Sequence, residues 1–186
     1  MHDEVPVETT PAAEIEVETF DFEDDGTVPN NPELPVVLMR AALGQGGASA
    51  SVERHLQNNG WGGTWTWRVF DYHHFHPNAH EVLAVARGQA VLALGGPSGA
   101  RVEIRAGDVV VLPAGTGHKQ IEASDDFEIC GAYPPGQEGY ETIRADGPHD
   151  GAVADRIAAV ARPATCPVHG ADGPLMRVWG EGSGSA

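Results

Sequence analysis

From Thr64 to Tyr133 the chain is a succession of short β-rich runs, each closed by a turn signal. The runs are TWTWRVFDYHHF (64–75), EVLAVARG (81–88), AVLAL (90–94), RVEI (101–104), DVVVLP (108–113), HKQIE (118–122) and FEICGAY (127–133). GGPSG, RAGD, PAGTG, ASDD and PPGQEG punctuate them. β-Branched and aromatic residues suit a pleated, half-buried surface, while Gly, Pro, Asp and Ser suit the turns between. Strand runs recurring about every 8–12 residues predict an all-β sandwich or barrel. The 24 glycines and 14 prolines fit many turns better than long helices. With 186 residues the chain can bury a real core in one domain.

Two short helices are predicted beside the strands. Ser51 is placed to N-cap VERHLQNN (52–59), which Gly60 ends, and Asp150 is placed to cap GAVADRIAAV (151–160). Pro163 keeps the second helix from running far. The expected organisation is therefore a barrel over residues 20–145, including the first helix. An acidic, flexible arm (1–19) precedes it, and a helical and irregular arm (146–179) and a flexible tail (180–186) follow it. Within the first arm, Ile15 to Val17 are placed to extend a sheet edge.

Charge narrows the function. There are 27 acids and 11 bases, a net charge of −16. Ten of the acids fall in residues 1–25, where no Lys or Arg occurs. Nucleic-acid phosphates and anionic membranes both demand Lys/Arg clusters, so neither is an expected partner. No apolar run approaches the roughly 18 residues of a membrane span, and no basic and apolar leader is visible. Cys130 and Cys166 are too few for a disulfide framework. They read as reduced thiols in a cytoplasmic protein.

The chemistry concentrates in residues 73–80, which hold four of the nine histidines. His74 and His76 are two apart, so on a strand they share a face. Glu81 follows after four residues, and Gly88 after six more. A second block then runs Gly107, five residues, Pro113-Ala114-Gly115, two residues, His118. Imidazoles at this density beside a carboxylate point to a metal site.

These two blocks, HFHPNAHEVLAVARG and GDVVVLPAGTGHKQIE, resemble the paired motifs of the cupin superfamily. The second departs from the pattern only at its last position, where Glu122 stands for Asn. The segments FEDDGTVPNNPELPVVL, NNGWGGTW, FDYHHFHPNAHEVL, GAYPPGQ and ADGPLMRVW resemble the YjlB-like group of small bacterial cupins. That resemblance extends over roughly residues 18–180. It implies a single jelly-roll barrel, the double-stranded β-helix, with short flanking helices. It also implies one divalent transition metal (Fe, Mn, Ni or Zn, with Fe favoured) held by His74, His76, Glu81 and His118. His80, next to Glu81, is the alternative fourth ligand. Three His and one Glu leave one net positive charge on the ion; four His leave two, and a stronger Lewis acid. The group is defined by sequence and not by an established reaction.

If His74 and His76 point inward along an unbroken strand, so do Tyr72, Phe70 and Arg68. Leu83 and Val85 share the face of Glu81, and Gln120 that of His118. Arg68 is then a candidate partner for a substrate carboxylate, Tyr72 a candidate donor or acid, and Gln120 a candidate substrate contact. Trp61, Trp65 and Trp67 are expected in an outer layer or subunit contact. His73 should face away and pack, and His2, His55, His149 and His169 should be solvated. Cys166 and His169 lack the companions that a zinc site needs. Four protein ligands on a six-coordinate ion leave two positions for O2, substrate or water. The expectation is a dioxygenase-like oxidoreductase acting on a small organic molecule. A metal-dependent isomerase or lyase, and a non-catalytic binding protein, are the alternatives. A homodimer is expected, because an edge strand over 13–20 needs cover.

Overall fold

The computed structural model describes residues 5–180; the 181–186 part of the expected tail, and His2, lie outside them. Eleven strands form two antiparallel sheets among the described residues. The six-stranded sheet is built from β1 (Val17–Phe20), β2 (Val36–Met39), β3 (Gly62–Trp67), β5 (Glu81–Arg87), β8 (Val109–Leu112) and β10 (Glu128–Tyr133). Its spatial order is β1-β2-β8-β5-β10-β3. The five-stranded sheet holds β4 (His74–Phe75), β6 (Gln89–Leu94), β7 (Ala100–Arg105), β9 (His118–Ala123) and β11 (Ile143–Arg144). Its order is β11-β4-β9-β6-β7. The two ladders stay separate, so the jelly roll is two facing sheets and not a hydrogen-bonded closed barrel.

Side-chain parity divides the core. On β5, Leu83 and Val85 point between the sheets, and on β8 so do Val110 and Leu112. They meet Leu92, Leu94, Val102 and Ile104 from the opposite sheet. The alternate residues Val82, Ala84, Val109 and Val111 point outward, where a second layer covers them. That layer includes Val52 and Leu56 of α1 (Ser49–Asn58), then Trp61, and Leu175 and Trp179 of α3 (Pro174–Trp179). Burial on both faces explains why β8 reads as an unbroken apolar run and not as an alternating one. Each fully buried Leu or Val contributes about 1.5–3 kcal/mol.

Every predicted run from residue 81 to 133 is a strand. The run 64–75 is not one strand: β3 ends at Trp67 in one sheet, and β4 begins at His74 in the other. Residues 68–73 cross between the sheets. Arg68 donates to the Ser124 and Asp125 carbonyls, and Phe70 accepts from the Gln120 N–H, in place of a ladder. Strand parity therefore does not hold across this stretch: Arg68, Val69 and Phe70 all line one cavity, and Tyr72 does not.

Helix α1 begins two residues ahead of Ser51, with Ala48 at its N-cap and no side-chain cap. The Ala48 carbonyl accepts from both Ser51 and Val52 N–H, so backbone opens the helix and Ser51 lies buried inside it. Helix α2 (Ala152–Ala158) does use Asp150, whose Oδ1 accepts from Ala152 N–H at 3.0 Å. The acidic arm is docked from Val7 onward. Thr10 bonds to the Ala41 and Ala42 carbonyls, Ile15 is buried, and β1 pairs with β2 at the sheet edge. His169 Nε2 reaches the Thr10 carbonyl at 2.7 Å, and His55 Nε2 the Val168 carbonyl at 2.8 Å. His149 meets Asp24 at 3.1 Å. These three rings are structural ties, not solvated side chains.

Among the described residues, no helix is long and apolar enough to cross a membrane. Both cysteines are free and buried. Cys166 lies 4.0 Å from the Met39 sulfur, in the outer layer.

Candidate metal centre

Three imidazoles meet at one end of the sandwich because the two sheets bring distant segments into register. His74 on β4 pairs with His118 on β9. His76 follows two residues beyond His74, and Glu81 opens β5 on the facing sheet, opposite Leu112. All four side chains are buried.

The rings are aimed by their far nitrogens. His74 Nδ1 is 3.0 Å from the Tyr72 carbonyl and His118 Nδ1 is 3.0 Å from the Thr116 carbonyl. His76 Nδ1 is 2.8 Å from the Glu141 carbonyl. A carbonyl only accepts, so each Nδ1 carries a hydrogen, and in the neutral ring each Nε2 presents a lone pair. The three potential ligand atoms lie within 4.8 Å of one another. Glu81 Oε2 stands 3.2 Å from Nε2 of His76 and 3.2 Å from Nε2 of His118. Oε2 is buried and has no hydrogen-bond donor, whereas Oε1 accepts from the Tyr133 hydroxyl at 2.9 Å.

Electrostatics point the same way. Burial lowers the His74 pKa to about 3, with the neighbouring His118 adding to the effect. Burial opposes ionised Glu81, but His76 and His118 beside it outweigh that and hold the carboxyl well below its ordinary range. Burial also opposes a charged His76, yet Glu81 and the Glu141 carbonyl overcome it and raise that imidazole. Tyr133 is pushed far up by burial and by the Glu81 charge, so it is a neutral hydroxyl donor.

Three lone pairs and one unpartnered carboxylate oxygen facing each other need a positive charge between them. A divalent cation supplies it, and imidazoles whose other N–H is bonded to a carbonyl are the usual metal-ligating form. The donor set therefore fits a divalent transition metal, with His74, His76 and His118 as its nitrogen donors and Glu81 beside them. His80 is turned away. Its Nδ1 accepts from Ala114 N–H at 2.9 Å, and its ring lies 5.0 Å from that of Trp179 in the outer layer. Burial lowers its pKa to about 4.

Above the four groups opens a cavity of about 140 Å³. Trp65, Trp67, Val69, Phe70 and Leu83 wall it, and Tyr133, Tyr140 and Thr142 complete it. Trp65 and Trp67 thus reach the cavity, Trp67 while remaining 56% exposed, and Trp61 takes the expected place in the outer layer. Arg68 reaches the wall, but its guanidinium is committed to the 124–125 carbonyls. Tyr72 and Gln120 are not among the lining residues. Tyr72 stacks on Phe70 beneath the Arg144 guanidinium, and Gln120 Oε1 accepts from Val69 N–H at 3.3 Å. His73, whose Nδ1 is buried without a partner, lies outside the cluster.

Sequence reasoning missed Tyr133 and Tyr140. Parity along FEICGAY puts Tyr133 on the face of Ile129, which points between the sheets, so that residue had a usable signal. Tyr140 sits in the 134–142 segment outside any strand, where periodicity gives none.

Comparison with known proteins agrees with this geometry. The Cupin domain family matches residues 68–129, which include all four groups. The uncharacterized protein YjlB of Bacillus subtilis (strain 168) is 41% identical over 167 residues, covering 89% of this chain and 98% of that protein. Among solved structures, an uncharacterized double-stranded β-helix protein from Klebsiella pneumoniae is 14% identical over 75% of this chain and 86% of its own, with a TM-score of 0.37. Procruciferin, an 11S globulin of Brassica napus, is 15% identical over 60% of this chain, which spans only 23% of the globulin, with a TM-score of 0.34. Likenesses at that level carry no argument about chemistry. Identity to YjlB over nearly both full lengths and the cupin match show that the chain belongs to the cupin superfamily, as a YjlB-like cupin.

Proposed function

We propose that this protein is a mononuclear metal-dependent oxidoreductase, dioxygenase-like, acting on a small organic molecule. The observation that carries the reading is the convergence of three Nε2 atoms and Glu81 Oε2 on the floor of an apolar cavity. A divalent metal bound there, iron in the favoured case, would supply Lewis acidity and redox chemistry toward substrate and O2.

The chain's own groups support an oxygenase more than a proton-transfer enzyme. Burial keeps the His74 ring neutral, its single bond to the Tyr72 carbonyl fixes its orientation, and the Glu81 carboxylate is held ionised. The walls are mostly aromatic and aliphatic, so they exclude water and stack against a flat substrate. Tyr140 and Thr142 add hydroxyl-bearing side chains to the lining, where a substrate oxygen could meet them. No uncommitted Lys, Arg, Asp or second Glu lines the cavity, so an acid/base pair for isomerisation or elimination is lacking among the described residues. A cavity near 140 Å³ accommodates about one ring. That size and the absence of a free cation among the lining residues favour a neutral or singly charged substrate over a phosphorylated one.

The test is anaerobic loading with Fe(II), followed by O2 uptake with a panel of catechols, enediols and β-diketones. Substrate-dependent uptake with product formation is expected. Turnover of the same compounds under argon would replace the reading with a lyase or isomerase. Saturable binding without product across the panel would replace it with a binding protein.

A further inference from the structure

We infer that Tyr133, held by Trp65, is a positioning residue that turns Glu81 into a one-oxygen ligand. The inference rests on the metal site proposed above and goes beyond it, because it assigns work to two residues outside the ligand set. Trp65 Nε1 lies 2.8 Å from the Tyr133 hydroxyl, which lies 2.9 Å from Glu81 Oε1. The direction of this chain is fixed by chemistry. An indole N–H can only donate, so the phenol oxygen accepts from it. The single phenol hydrogen is then directed to the carboxylate, which as an ionised group only accepts. Oε1 is thereby occupied. Oε2 is left without a donor, 3.2 Å from each of two Nε2 atoms.

Packing fixes the outer link. Trp65 and Gly131 are cross-strand partners on β3 and β10. A Cβ at residue 131 would lie 2.2 Å from the Trp65 indole, so only glycine lets that ring lie flat against the neighbouring strand. The phenol ring is also stacked on Tyr140, with centroids 4.2 Å apart. A carboxylate in an apolar pocket is otherwise free to rotate and offer both oxygens. Here a neutral donor takes one of them at no cost in charge, and the ion keeps its remaining positions for small molecules.

The experiment is a Co(II) titration of the full chain, read by the visible d–d spectrum and calorimetry, with Co(II) itself as the probe. Wild type, Tyr133→Phe, Glu81→Gln and the double variant are compared, with thermal unfolding of each metal-free protein. Tyr133→Phe should weaken Co(II) binding by about 10–100-fold, as loss of a partner behind a ligand usually does. Its d–d bands should also fall in intensity as the freed carboxylate chelates and coordination number rises. In the Glu81→Gln background the same change should have no further effect, because Tyr133 acts only through that carboxylate. If Tyr133→Phe does not fold, Trp65→Phe breaks the outer link, with an expected loss of about 2–10-fold. Wild type binding one Co(II), with Tyr133→Phe matching it in affinity and spectrum, overturns this inference and leaves the metal site standing. Equal losses with and without Glu81 also overturn it. Wild type binding no Co(II) removes the metal site and this inference together.

Discussion

The Glu141 carbonyl accepts a hydrogen bond from His76 Nδ1 at 2.8 Å, so the segment that roofs the cavity also aims a metal ligand. That segment carries Tyr140, 5.0 Å from the His76 ring, and is pinned from below by Asn78. Asn78 Nδ2 donates to the Gly139 carbonyl at 3.2 Å, and its Oδ1 accepts from Glu141 N–H at 2.9 Å. Arg156 on α2 holds the Glu141 carboxylate at 2.7 Å, an exposed pair of small value.

Asn78→Ala should therefore act at the metal. Removing two bonds of about 0.5–1.5 kcal/mol each loosens the Glu141 carbonyl behind His76. The expected result is a several-fold weaker Zn(II) affinity by competition titration, with unfolding temperature lowered by only a few degrees. Arg156→Ala should change neither quantity measurably. Equal, large unfolding shifts in both variants would mean that the roof is a stability element only.

Removal of the nitrogen donors separates His80 from the other histidines. His74→Ala, His76→Ala and His118→Ala should each drop metal content from near one equivalent to a small fraction, measured by elemental mass spectrometry. His80→Ala should retain its metal. It will lose stability instead, because the ring fills space beside Trp179 and satisfies the Ala114 N–H. Leaving that buried donor unpaired costs about 1–3 kcal/mol. Metal loss in His80→Ala at unchanged stability would reverse the assignment of the fourth position.

The strands, the three histidines and Glu81 were legible in sequence because each rests on local spacing. Period-2 parity on β5 puts Glu81 with Leu83, and the turn glycines sit where their motifs place them. Tyr72 was misplaced because strand parity does not hold across residues 68–73, and nothing in RVFDYH announces that the chain leaves one sheet for the other there. Arg68 does reach the cavity wall, and Gln120, on β9, lies outside that crossing and accepts from Val69 N–H instead of lining the cavity. The crossing is enforced by tertiary bonds, from Arg68 to the 124–125 carbonyls and from Gln120 N–H to Phe70. Ser51 failed as a cap because the turn before it already supplies a backbone acceptor at Ala48. Tyr140 was illegible because a loop side chain is placed by what the loop packs on, not by its neighbours in sequence.

Metal affinity should rise with pH. In the metal-free protein Glu81 raises the His76 pKa above its ordinary value, so a metal must displace a proton there that is held more tightly than on a free imidazole. Below that raised pKa, affinity should climb by up to about tenfold per pH unit and level off above it. His74 adds no step near neutrality, since burial keeps it unprotonated down to about 3. Titrations with Zn(II) from pH 5.5 to 8.5 check the slope. In Glu81→Gln the His76 imidazole loses its carboxylate partner, so the curve should level off at lower pH. A pH-independent wild type would mean that His76 does not carry this proton.

Gly107 tests the scaffold apart from the metal. It opens the second motif, in the turn between β7 and β8, at a φ of +95° that side chains rarely adopt. A Cβ there would stand 2.0 Å from the Gly44 carbonyl oxygen, and that contact is backbone, so no rotamer change relieves it. The Gly107 carbonyl also accepts from Leu43 N–H, which binds this turn to the chain entering α1. Gly107→Ala combines left-handed strain with a backbone clash, for a loss of about 2–4 kcal/mol. For a domain of this size that is about 5–15 °C in unfolding temperature. Gly139→Ala is the control, since a Cβ added there would meet nothing within 4 Å and its φ is not left-handed. It should shift unfolding by no more than about 0.5 kcal/mol. The folded fraction of Gly107→Ala should still bind one metal per chain, because none of its contacts reaches the four groups. A Gly107→Ala protein of wild-type stability would mean that the turn relaxes freely, and that this motif glycine is not held by its fit against Gly44.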